Sequence, residues 1–332
     1  MNPADPDFDD TVRILPPRKR AVWPFIVAAF ALVVLGGSIA VWLWRPPATP
    51  APVVATTPAS PPAAAGVPFD IIIASEREIA EHVPPSLTVF RFADNPHILV
   101  LDFASLTEQG RMLNRLAAFV EKSGVPHNRV LSDAELDATI REHGDTVETF
   151  YLGHDYAAAS LLRFFAAANR QGIELDSEEE KLRSLLRQIG WLAPDMSEAL
   201  ISIPAVGSDP RVTPAVRAGI LRHELSHGEF FSNPAYAEYV RNFWLTELTP
   251  EEKAGVRAFL GKDEYDVSVE QLMYNEMQAY LMFTREPSLF RPDMVGMTQG
   301  RLSVLQDRFL AGMPPGWLRD VLASYLATAS AK

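Results

Sequence analysis

The chain has no cysteine in its 332 residues. This absence excludes disulfide bonds, thiolate metal ligands and cysteine nucleophiles, so any metal ion must be held by histidine and carboxylate side chains. Basic residues are also few, since 30 lysines and arginines stand against 42 aspartates and glutamates, a formal net charge of -12. Because nucleic-acid phosphates bind clustered positive charge, this balance argues against nucleic acid as a partner.

Several functional motifs are missing as well. The sequence contains no glycine-rich phosphate loop, no G-x-S-x-G nucleophile turn and no internal repeat. Hydrophobic residues, in contrast, make up 48% of the chain, which is enough to bury a core in one or two domains.

One long uncharged segment lies near the N-terminus, at residues 21–44. As a helix it would be about 36 Å long, more than the roughly 30 Å hydrocarbon core of a bilayer. Trp23 and Trp44 lie near its two ends, where aromatic side chains favour the membrane interface. The segment is longer than the apolar part of a cleavable signal peptide, so we predict a single-pass signal-anchor helix.

The charges around this segment predict its orientation. The run RKR at 18–20 precedes it and only Arg45 follows it, which places residues 1–20 in the cytoplasm. In a bacterial inner membrane the rest of the chain then lies in the periplasm. Residues 46–68 hold eight prolines and no charge, so we predict a semi-rigid periplasmic linker over 45–68.

The sequence pattern over residues 69–332 predicts one α+β domain, with a small N-terminal sheet followed by a helical C-terminal part. Apolar, β-branched runs predict strands at 69–74, 87–92, 97–103 and 199–206. Capping pairs such as Ser132 with Glu135 mark helix starts. Helical patterns lie at 146–170, 177–190, 234–246, 250–260 and 267–285.

The stretch LRHELSHGEFF, residues 221–231, contains an H-E-x-x-H string. Thr213 and Pro214 predict the start of a helix that runs through it, so His223 and His227 share one face. Both imidazoles can then reach one metal ion at about 2.0–2.1 Å. The alternative is a helix with two histidines bonded to their neighbours.

Glu224 has the position expected of a general base. It lies about 100° around the helix from His223, beside the open side of a metal ion. From there it can take a proton from a water molecule acidified by zinc and pass it to the leaving amine. A catalytic zinc site also needs a third protein ligand.

Glu276, in the string YNEMQAY, is the candidate for that ligand. Leu272, Met273 and Met277 surround it with apolar side chains, so its helix is expected to be largely buried. A buried carboxylate requires a cation or several hydrogen-bond donors.

These residues together resemble the gluzincin group of zinc metallopeptidases, over about residues 213–283. The resemblance implies a zincin-like fold, with Zn²⁺ held by His223, His227 and Glu276 and with Glu224 as general base. Asn275 before Glu276 matches the group. Two departures from thermolysin are a longer gap between His227 and Glu276, and Tyr280 at a position where thermolysin has an aspartate that orients a histidine. The partner of that histidine must then come from elsewhere.

A metzincin motif would need a third histidine at position 233, which is Asn233, so that alternative fails. Tyr280, one turn beyond Glu276, is expected either to donate a hydrogen bond to a developing oxyanion or to pack in the core. For His154 and Tyr156 a capping or surface role is favoured over a place in a cleft. Arg217 is interpreted as a helix-surface charge.

Two functions remain open at this point. The first is a membrane-anchored zinc metallopeptidase that hydrolyses peptide or protein substrates of the cell envelope. The second is a catalytically inactive zincin-like scaffold that binds an envelope partner. For the first, the strand at 199–206 is expected at a sheet edge, where it can hold an extended peptide by strand addition.

Overall fold

A computed structural model of the chain describes residues 68–330. The predicted tail 1–20 and signal-anchor helix 21–44, and all but the last residue of the predicted linker 45–68, lie outside this range. Within the described range, no helix has both the length and the apolar character needed to cross a bilayer.

The described residues form an α+β fold around one mixed sheet. Its five strands are β1 (Ile71–Ala74), β2 (Thr88–Phe92), β3 (Ile98–Phe103), β4 (His154–Ala157) and β5 (Ala199–Pro204). They lie in the order β1-β2-β3-β5-β4, with parallel β1/β2 and β3/β5 pairs and antiparallel β2/β3 and β4/β5 pairs. Every residue of β3 and β5 is buried, which explains why their sequences read as nearly continuous apolar runs.

Eleven α-helices occur within residues 68–330. They are α1 (Glu76–Glu81), α2 (Leu106–Val120), α3 (Asp133–Glu142), α4 (Ala158–Gln171), α5 (Ser177–Gln188), α6 (Pro214–Ser232), α7 (Pro234–Glu247), α8 (Pro250–Lys262), α9 (Glu270–Gln278), α10 (Gln299–Gly312) and α11 (Trp317–Ser330). Helix α9 continues into a π-helical turn, Ala279–Phe283, and a short 3₁₀ turn follows at Pro292–Val295.

The sheet is covered on both faces. Residues of α6 pack on one face against Ile98, Val100 and Ile201. Residues of α2, α4 and α5 pack on the other face, where Leu99 and Leu200 lie. The C-terminal helices form a third apolar cluster with residues of α6, α9 and the π-helical turn.

The four predicted strands are confirmed, with ends shifted by one or two residues. The helix predicted at 146–170 is wrong in its first part, because residues 154–157 form β4 and the helix begins at Ala158. Pairing with β5 and full burial of Tyr156 outweigh the helical pattern there. The edge position predicted for 199–206 is also wrong, since β5 lies between β3 and β4, and the edge strands are β1 and β4.

Helix α6 begins as the sequence predicts, with Thr213 as the N-cap and Pro214 in the first turn. It lies close to β3 because residue 228 is glycine: a Cβ at Gly228 would come within 2.7 Å of Ile98 Cδ1. The residue type at 228 therefore sets the distance between the histidine-bearing helix and the sheet.

The surface role interpreted for Arg217 is wrong. Its side chain is fully buried, and its guanidinium makes two hydrogen bonds of 2.9 Å to the two carboxylate oxygens of buried Asp102. It also donates to the backbone carbonyls of Ile79 and Pro204, so the first turns of α6 are fixed to β3, to the end of β5 and to α1. Arginine satisfies this arrangement because it presents several donors in one plane.

Candidate metal centre

His223 and His227 lie one helical turn apart on α6, and their rings face the same point. The two Nε2 atoms are 3.0 Å apart. His227 is fully buried, whereas His223 keeps 9% of its surface exposed. The imidazole of His227 therefore lies inside the protein, and that of His223 lies closer to the surface.

Glu276 of α9 completes a triangle with these histidines. Its Oε2 lies 3.6 Å from His223 Nε2 and its Oε1 lies 3.6 Å from His227 Nε2. Ligand atoms about 2.0–2.1 Å from a tetrahedral zinc ion lie roughly 3.3–3.4 Å from one another. The structure thus brings together the three side chains predicted as ligands, with a spacing that suits a metal ion.

Unpartnered atoms in the triangle support the same conclusion. Glu276 is 1% exposed, and its Oε2 atom is buried without a hydrogen-bond partner among the described residues. Nδ1 of His227 is also buried and unpartnered there, although a metal ion on Nε2 would not change that. A buried carboxylate without a donor or a cation is costly, and a bound cation removes that cost.

The protonation of the triangle without metal follows from its burial. Burial raises the pKa of Glu276 to about 8, although His227 opposes the rise. Burial lowers the pKa of His223 to about 4. At neutral pH His223 is therefore uncharged, the form that binds a metal, while Glu276 holds a proton that a cation would displace.

Thr284 fixes the orientation of the His223 ring. Its Oγ1 lies 2.8 Å from His223 Nδ1 and donates to the backbone carbonyl of Ala279 at 2.9 Å. Because that hydroxyl proton is already used, Nδ1 is the donor, and Nε2 keeps its lone pair for a metal. Thr284 is thus the residue that orients a histidine, a role that the sequence did not assign.

The π-helical turn brings Thr284 to this position. The backbone N–H of Thr284 bonds to the Ala279 carbonyl five residues earlier, as its hydroxyl does. Such turns widen a helix locally and recur at functional sites. Tyr280, inside the turn, is half-buried, with its ring centroid 4.5 Å from that of His223.

A buried polar network joins the two helices that carry the triangle. The Gln278 amide donates to Ser226 Oγ at 3.2 Å and accepts from the Tyr236 hydroxyl at 2.7 Å. Ser226 in turn donates to the His223 carbonyl at 2.7 Å. These contacts fix α9 against α6 beside the histidines.

A cleft of about 280 Å³ opens above the triangle. His223, Glu224 and Tyr280 line it, together with the segment 149–153. Of the three residues that would hold a metal ion, His223 lines the cleft, whereas His227 and Glu276 lie buried behind it.

Glu224 lies in this cleft and is 6% exposed, with an Oε2 atom that has no partner among the described residues. Burial raises its pKa well above the usual value, and Asp155 and Glu276 raise it further. A Cβ at Gly153 would lie 2.1 Å from Glu224 Oε1. Glycine at 153 therefore makes the room that this carboxylate occupies, a role that has no signal in the local sequence pattern.

Asp155 is a further acidic group at the centre, and the sequence analysis did not predict it. Its Oδ2 lies 3.9 Å from His227 Nε2, and it forms a second group of close metal-binding atoms with Glu224 and His227. Alternation along β4 explains its position: His154 and Tyr156 point to the opposite face of the sheet. Both of these are buried, with His154 Nδ1 2.9 Å from Ser202 Oγ, so the predicted capping or surface role is wrong.

The chain was compared with protein-family models, with curated proteins and with solved structures, and none of the three comparisons gave a match.

Proposed function

We propose that the chain is a zinc-dependent metallopeptidase of the gluzincin type that hydrolyses peptide bonds in the bacterial periplasm. One observation carries the proposal: two imidazoles and one carboxylate, all buried, converge within 3.6 Å of one another beneath a cleft that also holds Glu224. The uncharged segment 21–44 would anchor the enzyme to the inner membrane.

Zinc is the metal favoured by this ligand set. The donors are two imidazole nitrogens and one carboxylate, and the chain has no cysteine to build a structural thiolate site. Three protein ligands with a fourth position facing a cleft are the pattern of catalytic rather than structural zinc.

A zinc ion bound there supplies Lewis acidity, which polarises a carbonyl group and acidifies water. Glu224 accepts the proton of the attacking water and transfers it to the leaving amine. Burial beside Asp155 and Glu276 raises the pKa of Glu224, so it holds a proton taken from water more firmly than an exposed carboxylate would.

Tyr280 has the position of an oxyanion donor. It lines the cleft beside His223 and Glu224, and among the described residues its hydroxyl has no hydrogen-bond partner. From the rim of the cleft this hydroxyl can donate to the oxygen on which charge develops.

The substrate is proposed to lie along β4, the edge strand that carries Asp155 between the sheet and the centre. An extended peptide can add to such an edge through backbone hydrogen bonds. Strand β4 takes the peptide-binding role that the sequence predicted for 199–206, because β5 is already paired with a strand on each side. The mixed sheet, the histidine helix α6 and the glutamate helix α9 support assignment to the zincin-like fold.

Glu224→Gln distinguishes catalysis from the alternative of an inactive scaffold. In the full-length protein we expect this variant to bind zinc as the wild type does and to lose hydrolysis of a peptide library. Zinc binding together with unchanged peptide cleavage in Glu224→Gln, or no cleavage by the zinc-loaded wild type, would refute the proposed function.

A further inference from the structure

A second pocket, of about 400 Å³, lies beside β4, and Asp155 in its lining has a carboxylate oxygen within 4.8 Å of ligand atoms of Glu224 and His227. We call it the β4 pocket. Its walls are mainly apolar, with Phe231 and Leu272 among them, and its acidic groups are Glu121 and Asp155. Asn275, next to the proposed ligand Glu276, also lines it, so the pocket adjoins the centre.

Glu121 is a buried acidic residue that lines the β4 pocket. It is 4% exposed, and its carboxylate makes no hydrogen bond or ion pair within the described part of the chain. The Nζ atom of the neighbouring Lys122 is bonded to Glu264 at 2.8 Å and lies over the ring of Phe150, so its charge acts on Glu121 without a direct contact. A buried carboxylate that lines a pocket without a partner favours a cationic ligand there.

The other charged residues that line the β4 pocket also favour a cationic ligand. Asp155 lines the same pocket, and its charge contributes to the raised pKa of Glu121 after burial. The one basic residue that lines the pocket, Arg163, is exposed, with its guanidinium over the ring of Phe119 at 5.7 Å. Two carboxylates between apolar walls suit a primary ammonium group attached to a carbon chain.

The distance from Asp155 to the metal centre indicates whether the ammonium group is a peptide α-amine or a lysine side chain. Asp155 Oδ2 lies only 3.9 Å from His227 Nε2, so an amine bound to Asp155 is held beside the metal centre. The α-amine of a peptide is about 2.5 Å from the carbonyl carbon of its own residue. A lysine ammonium is four methylenes further from its backbone and would move the carbonyl group away from the centre.

We infer that Glu121 and Asp155 bind the free amino terminus of the substrate, so that the enzyme removes residues from the N-terminus. This assignment rests on the proposed peptidase activity. It also gives Asp155 a function: with its carboxylate on the α-amine, it positions the first peptide bond at the centre, where Glu224 acts.

Binding to a protein that does not turn over tests the assignment. The probes are Ala-Ala-Phe amide and its N-acetylated form, titrated calorimetrically into the zinc-loaded, full-length Glu224→Gln protein. We expect the free amine to bind at least about tenfold more tightly, because hydrogen bonds to charged groups are among the stronger ones.

Adding Glu121→Gln, or Asp155→Asn, to that protein should remove the preference. Both replacements keep the size of the side chain, and thermal melting shows whether each variant is folded. Glu238→Gln, which removes an exposed negative charge on α7, is the matched control and should retain it. Equal binding of the two probes to the parent protein, or an undiminished preference after both replacements, would overturn the assignment.

Two further results separate this assignment from the proposed function. If the wild type cleaves acetylated and free peptides equally well, the N-terminal assignment is overturned and the peptidase remains. If the free amine is preferred in binding but the wild type cleaves no peptide, the amine site remains and the peptidase is overturned. A loss of zinc affinity in Asp155→Asn as large as in His223→Ala would make Asp155 a metal ligand and would also overturn the assignment.

Discussion

Thr284 Oγ1 lies 2.8 Å from Nδ1 of His223 and is held there by a hydrogen bond to the Ala279 carbonyl. This contact fixes which nitrogen of His223 faces Glu276. It depends on the π-helical turn at Ala279–Phe283, which joins the glutamate helix to the residue that orients a histidine.

The first prediction follows from that contact. Replacement Thr284→Val keeps the volume of the side chain and removes the hydroxyl, so His223 loses the acceptor that holds its ring. We expect zinc affinity to fall by about 10–100-fold, the usual effect of losing such a partner. Competition titration with a zinc chelator measures it. Thr246→Val is the control, because the Thr246 hydroxyl is exposed and bonds within its own helix. Equal affinities in both variants would show that Thr284 does not support the site.

The second prediction concerns Gly153. In Gly153→Ala the new Cβ would lie 2.1 Å from Glu224 Oε1, so the carboxylate must move. Since general acid–base catalysis contributes about 10²–10⁴-fold, we expect peptide hydrolysis to fall by at least about 10². Zinc affinity should stay close to that of the wild type. Gly300→Ala, on α10 where an added Cβ meets nothing within 4 Å, is the control for both measurements. Full activity in Gly153→Ala would contradict the proposed role of Glu224.

The third prediction is a pH dependence of metal binding. Below its raised pKa of about 8, Glu276 holds a proton that zinc must displace, whereas His223 is already neutral because its pKa is lowered to about 4. Zinc affinity should therefore rise by up to about tenfold per pH unit between pH 6 and 8, with release of protons. Calorimetry in buffers with different ionisation enthalpies counts those protons. An affinity that is constant over this range would be inconsistent with Glu276 as a ligand.

The fourth prediction tests the attachment of α6 to the sheet. Arg217→Met leaves the buried carboxylate of Asp102 with His82, whose Nδ1 lies 2.7 Å from Oδ2, as its remaining side-chain partner, and breaking a buried pair costs about 3–5 kcal/mol. Urea denaturation should show this loss in the free energy of unfolding. The matched variant Arg211→Met removes an arginine whose side chain is 58% exposed, and it should cost at most about 1 kcal/mol. Similar stability of the two variants would refute the anchoring role of Arg217.

Local sequence patterns were enough to predict the helix of the candidate site. The N-cap at Thr213, the proline after it and the spacing of His223 and His227 all act within one helix, so the start of α6 and the shared face could be predicted. Glu276 could be proposed because a carboxylate in an apolar helix needs a partner, wherever that partner lies in the sequence.

The remaining features depend on long-range packing. Strand β4 forms because it pairs with β5, and this pairing places Asp155 beside His227. Arg217 has the pattern of a surface charge until Asp102 of β3 is known to lie opposite it. Likewise, the π-helical turn that brings Thr284 to His223 has no signal in the spacing of the side chains.

The measurement that tests the central claim most directly is zinc binding by the full-length protein and by Glu276→Gln. The replacement keeps the shape of the side chain and removes the charge that completes the triangle with His223 and His227. We predict one zinc ion per wild-type chain and a loss of at least about 100-fold in affinity for the variant, since a direct ligand matters at least as much as the groups that orient it. A wild-type protein that binds no zinc, or a Glu276→Gln protein that binds it equally well, would contradict the account.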